Sequence, residues 1–231
     1  MICVSLLAKN RRDALRSMER AFSIADAVEL RMDRMKAADL PVLIGARRGI
    51  LIVTNRRKEE GGFFRGSERD RVNLLKAAAA LGADFVDIEA STARALIGEL
   101  AEAVKVEGGV TQIMVSSHDF SGTPPLKTLL DRLDSCRSLG AHVVKIVTYA
   151  NTIEDNLRVL QLIPRALGEG QRIVAFCMGP KGRMSRIVAP LFGSTFSYAS
   201  LRKGTEAAPG QLTVSEMREA LRLFGGGGAE V

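Results

Sequence analysis

The feature that most constrains this chain is a rhythm. Eight short apolar runs, separated by amphipathic stretches, recur about once every 29 residues along a length of 231. The runs are Ile2 to Leu6, Ala27 to Leu30, Ile50 to Thr54, Phe85 to Ile88, Gln112 to Ser116, Val143 to Val147, Ile173 to Cys177 and Thr195 to Tyr198. Most are continuously apolar rather than alternating, as a parallel strand covered on both faces must be. The stretches between them carry helix ends. Ser67 to Asp70 resembles a capping box ahead of Val72 and Leu75, with Gly82 as a stop. Pro124 and Pro125 open a segment whose Leu126, Leu129, Leu133 and Cys136 share one face before Gly140. Thr213 with Glu216 caps a last helix whose Val214, Met217, Leu221 and Phe224 fall on one stripe.

A strand and helix repeat of that length closes either as an open doubly wound sheet or as an eight-stranded barrel. Eight strands, no interior Gly/Ser linker and no phosphate-binding glycine fingerprint after the first strand predict the barrel. The expectation is therefore an α/β fold, a single (β/α)8 TIM barrel with parallel strands over residues 1–231, ending in a frayed tail at 225–231.

Composition narrows the function classes. With 46% hydrophobic and 26% charged residues, the chain is neither disordered nor fibrous. No apolar run reaches the length of a membrane span, and the basic residues of MICVSLLAKN follow its apolar stretch, whereas a signal peptide needs them in front. A cytoplasmic protein without a membrane partner is expected. The three cysteines, Cys3, Cys136 and Cys177, are odd in number and far apart, so neither a disulfide framework nor a zinc site is suggested. The net charge of +7 is spread along the chain, which favours anionic ligands in general. Nucleic acid is disfavoured, because no Trp and only two Tyr leave few platforms for stacking bases.

The polar residues gather where the runs end. Glu29, Arg31 and Asp33 end the second, Arg56 and Glu60 follow the third, Asp87 and Glu89 end the fourth, and His118 follows the fifth. Lys145 lies inside the sixth and Arg186 follows the seventh. In a parallel barrel all these ends converge on one face.

Lys145 is the most informative residue. It stands in HVVKIVT, and lysine is rarely buried without a partner or a purpose. It is either a snorkelling or salt-bridged lysine on an edge strand, or a nucleophilic amine whose pKa burial and nearby cations lower from about 10.4 toward neutrality. His118 can move protons near neutral pH, whereas His142 lacks such a context and reads as structural. The interval from His118 to Lys145 is close to one repeat, so the two sit on adjacent strand ends.

Three further segments admit two readings each. TNRRKEEGGFFRG, residues 54–66, is either a solvated loop or one in which Arg56 grips a substrate and Glu60 orients a base. Glu29, Arg31 and Asp33 alternate along an extended strand end, bridging one another and presenting Arg31 inward, or they form a purely structural ion network. GPKGRMSR, residues 179–186, is an ordinary turn or an anion-holding one whose arginine clamps a carboxylate. RKGTEAAPGQL, residues 202–212, reads as a polar loop or a lid.

Taken in order, ELRMD at 29–33, RRKEEGG at 56–62, DIE at 87–89, SSHDF at 116–120, VKIV at 144–147, MGPKGRMSR at 178–186 and AAPGQ at 207–211 resemble the type I 3-dehydroquinate dehydratases. The resemblance covers nearly the whole chain, and the joint occurrence of these motifs is specific. It implies a (β/α)8 hydro-lyase of the shikimate pathway and aromatic amino acid biosynthesis, converting anionic 3-dehydroquinate to 3-dehydroshikimate with no metal and no other cofactor. Lys145 matches the Schiff-base lysine, His118 the general acid/base and Glu60 the carboxylate that orients the histidine. Glu29, Arg31, Arg56, Arg186 and Gln211 match substrate-binding positions, with Arg186 the partner of the substrate carboxylate. Asp87, Met178, Ala207 and Ala208 match positions that line or support the pocket. Relatives often have a serine where this chain has Ala207, so a hydroxyl contact is missing or comes from Thr205. Such relatives are often homodimers, although no apolar stripe in this chain demands one. The competing readings are a Schiff-base aldolase holding a phosphate at Gly179 to Arg186 and a basic nucleic-acid binder.

Overall fold

The computed structural model describes residues 1–106, 108 and 110–224; the tail expected to fray, 225–231, lies outside them. Eight parallel strands alternate with helices. They are β1 (Ile2–Leu6), β2 (Ala27–Arg31), β3 (Ile50–Thr54), β4 (Phe85–Glu89), β5 (Gln112–His118), β6 (Val143–Tyr149), β7 (Arg172–Met178) and β8 (Ser197–Ala199). The helices are α1 (Arg11–Phe22), α2 (Leu40–Gly45), α3 (Glu68–Ala80), α4 (Arg94–Val106), α5 (Leu126–Ser138), α6 (Asp155–Leu160), α7 (Leu162–Gly168), α8 (Arg183–Leu191) and α9 (Val214–Phe224). Pairing runs β7-β6-β5-β4-β3-β2-β1-β8. At the remaining seam the Thr195 amide just ahead of β8 donates to Ile173 O of β7 at 2.8 Å. This is a nearly closed (β/α)8 TIM barrel.

The predicted caps form. Ser67 accepts from the Asp70 amide while the Asp70 carboxylate accepts from the Ser67 amide, fixing the start of α3, and Gly82 follows it at φ +82°. Thr213 and Glu216 exchange the same pair of bonds ahead of α9. The stripe predicted for α9 is shorter than expected: Val214 and Met217 are buried and Leu221 packs on the core, but Phe224 is 66% exposed. The helix has by then run past the barrel wall.

Most of the apolar surface is buried between strands and helices. A smaller core fills the barrel itself, and it decides where the site lies. Its floor contains Cys3, Ala27, Ile52, Phe85, Met114 and Val143, one from each of β1 to β6, and Phe196 just ahead of β8. Two residues further along each strand, on the same inward face, come Ser5, Glu29, Thr54, Asp87, Ser116, Lys145 and Tyr198, all buried. The interior thus changes from apolar floor to polar layer within about 7 Å of axial rise. Every one of these side chains is carried on a hydrogen-bonded strand, the rigid part of the fold.

Candidate active site

The C-terminal mouth of the barrel opens as a cavity. Lys145, His118 and Glu60 line it together with Glu29, Arg31 and Arg56. Arg186, Met178, Gln211, Ala207 and Ala208 complete the predicted set on its wall. Asp87 sits directly beneath, bonded to the lysine.

Lys145 is 4% exposed and belongs to an interior strand. Its Nζ donates to Asp87 Oδ2 at 2.9 Å and to Glu29 Oε1 at 3.2 Å, and stands 4.3 Å over the Tyr198 ring. The nearby cations expected around it are not its nearest charges, which are these two carboxylates. Burial works against ionisation of Glu29, but Lys145, with Arg31 and Arg56 adding to it, outweighs it and holds the carboxyl down to about 2. Asp87 is likewise held well below its usual range, burial being overcome by Arg56 and Lys145. Ser5 and Thr54 donate to the two Glu29 oxygens, Thr54 at 2.8 Å, fixing its rotamer.

The β5–β6 register pairs Ser116 with Lys145 and His118 with Val147. The imidazole therefore sits one strand over and two residues nearer the mouth than the amine, as the one-repeat interval predicts. Its Nδ1 lies 2.9 Å from Glu60 Oε2, which also accepts from the His118 amide at 3.1 Å. The carboxylate fixes the tautomer: Nδ1 donates and Nε2 is left as a base. Burial, with Arg56 adding to it, pushes the His118 pKa down to about 4 despite the pull of Glu60. The imidazole is neutral across the physiological range. His142 is different: its Nδ1 accepts from the Ile113 amide at 3.1 Å, a structural role at the foot of β5.

The RRKEEGG loop aims Glu60 by backbone geometry. A single helical turn at Lys58–Glu60 ends on Gly61, which is left-handed at φ +77° and so close to Phe120 that a Cβ would lie 2.6 Å from its ring. At Gly62 a Cβ would lie 2.0 Å from Arg56 O. Of the two arginines, Arg56 turns inward and Arg57 outward. Arg56 donates to Glu89 at 2.9 Å, Ser116 at 2.7 Å and Asp87 at 2.8 Å, so the protein already grips much of its fork. Behind it, Glu89 is shared with the fully buried Arg71 of α3. Arg71 and Arg56 pull against burial, yet burial still raises the Glu89 pKa.

The ELRMD reading needs a correction. Strand β2 ends at Arg31, and Asp33 lies in the helical turn that follows, so the three do not alternate along one extended segment. Arg31 does form a two-pronged bond with Asp33, at 2.7 and 2.9 Å, but Glu29 turns to Lys145 instead.

Arg186 carries the sharpest electrostatic signal. It is fully buried on α8, its guanidinium carbon is 4.4 Å over the Phe176 ring, and its bonds are two 3.4 Å contacts to Tyr198 O and Pro209 O. Its Nε has no partner, and no carboxylate among the described residues pairs with it. Burial without a counter-ion pushes its pKa down. The phosphate turn foreseen in the same segment fares worse: the Gly179 amide is spent on Pro209 O and the Gly182 amide on Gly179 O.

The lid loop closes on itself. Gln211 Oε1 accepts from the Ala207 amide at 2.7 Å. Thr205 does not replace the absent serine hydroxyl: its own donates to Arg202 O at 2.7 Å, and the residue is not part of the cavity wall. Residues not foreseen include Ser5, Thr54, Ser116, Phe176 and Tyr198. The signal for them is the two-residue step from each floor residue.

With an amine, a neutral imidazole and an uncompensated guanidinium around one cavity, the site can attack a carbonyl, move a proton beside it and hold an anion. The profile of the family described as type I 3-dehydroquinase matches residues 2–227. The 3-dehydroquinate dehydratase of Thermococcus gammatolerans is 42% identical over 228 residues, covering 98% of this chain and 100% of the relative. The crystal structure of 3-dehydroquinate dehydratase from Geobacillus kaustophilus has a TM-score of 0.89 at 26% identity, covering 99% of this chain and 92% of that one. A type I 3-dehydroquinate dehydratase from Clostridium difficile, solved with covalently modified comenic acid, has a TM-score of 0.86 at 25% identity, with coverage of 96% and 91%. The chain belongs to the type I 3-dehydroquinase family of hydro-lyases.

Proposed function

We propose that this protein dehydrates 3-dehydroquinate to 3-dehydroshikimate and water through an imine on Lys145, a step of aromatic amino acid biosynthesis. The observation that carries the reading is the pairing of a strand-borne buried amine with a buried guanidinium that lacks an anion, in one cavity. A substrate with a ketone at one end and a carboxylate at the other satisfies both. Arg186 takes the carboxylate in a charge-assisted bond, and the ring is thereby oriented toward Lys145.

The Lys145 nitrogen adds to the ketone once it has released one of its three protons; that proton and a second one go to the carbonyl oxygen, which leaves as water, and a protonated imine remains. Its positive nitrogen acidifies the neighbouring C–H. Nε2 of His118 takes that proton, and the electron pair moves into the nitrogen as an enamine. The enamine then expels the hydroxyl, which leaves as water with the proton returned by His118. Water hydrolyses the product imine and restores the lysine. Two waters are released and one consumed, a net loss of one. Asp87 and Glu29 hold the nitrogen in place and balance the iminium charge; Glu60 keeps the histidine in the tautomer the cycle needs.

The test has two arms. Adding 3-dehydroquinate should generate the absorbance of a conjugated enone. Borohydride added during turnover should fix the substrate skeleton covalently, and peptide mapping should locate it on Lys145. A folded protein that gives neither signal would overturn the reading.

A further inference from the structure

Outside the cavity, a short chain of side chains ends on the Glu60–His118 pair. Ser91, on the loop between β4 and α4, donates its hydroxyl to Glu60 Oε1 at 2.7 Å. The same hydroxyl accepts from Arg57 Nη1 at 2.9 Å, and Arg57 is anchored by its Nε to Glu59 at 3.1 Å and by its amide to Glu89 at 3.2 Å. A hydroxyl has one proton to give, and because Arg57 can only donate, the Ser91 proton must point at Glu60. Each oxygen of that carboxylate then has its own donors, Ser91 on Oε1 and the His118 amide and ring on Oε2.

We propose that Ser91 is a positioning residue for the acid/base histidine. It locks the rotation of the Glu60 carboxylate and draws off part of its charge, and Arg57 sets the direction in which the hydroxyl points. The inference rests on the reading of His118 given above. Without the hydroxyl, Oε1 loses a donor and the carboxylate bears more charge toward the ring. Its hold on the Nδ1 proton strengthens, which stabilises the imidazolium. The base becomes harder to keep neutral and is aimed less firmly. The other groups facing His118 are Arg56 from the loop after β3, Asp87 from β4 and Lys145 from β6; Glu60 faces Arg56, Glu89 and the Cys136 thiol of α5. None of them changes in a Ser91 variant.

Ser91 is exposed, so Ser91→Ala should fold. The full chain and its Ser91→Ala and Ser91→Thr variants are compared by enone formation from about pH 4 to about pH 9, and by 15N NMR of histidine-labelled protein. The two histidines are separable because His142 holds its proton on Nε2 and His118 on Nδ1. For Ser91→Ala, kcat should fall roughly threefold to tenfold with KM within about twofold, and the acid limb and the His118 titration should both move to higher pH. Ser91→Thr should restore both. An unchanged kcat and titration, or lost activity with the titration unmoved, would overturn the proposal. Should the parent chain itself form no enone, the dehydratase reading fails, while the NMR titration still decides what Ser91 does to His118.

Discussion

The guanidinium carbon of Arg186 lies 4.4 Å from the centre of the Phe176 ring, and its Nε has no hydrogen-bond partner. The free protein therefore carries a desolvated charge that an anion would neutralise. Replacing it by an apolar group of similar length should stabilise the empty barrel and weaken binding, two effects of opposite sign. For Arg186→Met we expect a higher melting temperature without substrate and a KM raised at least about 30-fold, the equivalent of about 2 kcal/mol. Arg186→Lys should lie between. Thermal unfolding and steady-state kinetics on the same preparations check both signs.

Lys145 faces the opposite balance. Its nitrogen lies between Asp87 and Glu29, and Arg56 still binds Asp87 when the lysine is gone. In Lys145→Met the Glu29 carboxylate loses its nearest cation, so stability should fall by about 3 kcal/mol. Turnover should fall more than about 10³-fold, because the nucleophile itself is absent. The borohydride adduct should vanish from the mass spectrum. By contrast, His118→Ala keeps the amine and should still trap substrate while eliminating slowly.

Acid should unfold this protein partly through His118. The imidazole titrates near 6.5 in an unfolded chain but at about 4 when folded. Between those values the unfolded state binds more protons. The contribution is therefore complete above about pH 6.5 and is lost as pH falls through about 4, amounting to about 3 kcal/mol. Glu29, held down to about 2, adds a further loss at lower pH with the same sign. Urea unfolding at a series of pH values should show the slope, and His118→Gln should flatten it between about pH 6.5 and about pH 4.

Much of this was legible in the sequence, and the pattern of misses has a cause. The starts of six strands, Ile2, Ala27, Ile50, Phe85, Gln112 and Val143, fall where the apolar runs begin. The far ends of β2, β4, β5, β6 and β7 extend past the apolar runs: at β2, β4 and β5 the inward face turns polar while the backbone pairing continues to Arg31, Glu89 and His118, and the pairing of β6 with β7 runs on to Tyr149 and Met178. The run beginning at Thr195 was placed two residues early, since Thr195 spends its amide on the seam to β7 rather than within β8. Charged residues at strand ends pointed to the site directly. Ser5, Thr54 and Ser116 did not, because a lone hydroxyl inside a strand has no signature until the floor residue two positions earlier is known to face inward. Ser91 was hidden for another reason: its role depends on Arg57 turning outward, a loop conformation set by Gly61 and Gly62.

Those glycines have a counterpart in the lid. Gly210 adopts φ +81°, and a Cβ there would lie 2.2 Å from the carbonyl oxygen of Gly179, whose amide in turn donates to Pro209 O. The loop is thus seated backbone to backbone on the segment that leads to Arg186, and no side chain fits between. Gly210→Ala must lift the loop, carrying Gln211 and Ala207 away from the cavity they line. The strands are untouched, so far-ultraviolet circular dichroism should be unchanged, while kcat/KM falls roughly tenfold or more and proteolysis within residues 202–211 accelerates. Gly204 supplies the control: it has a similar φ of +79°, but a Cβ there meets nothing within 4 Å. If Gly204→Ala slows the enzyme as much as Gly210→Ala does, backbone strain in the loop, not its seat on Gly179, governs the site.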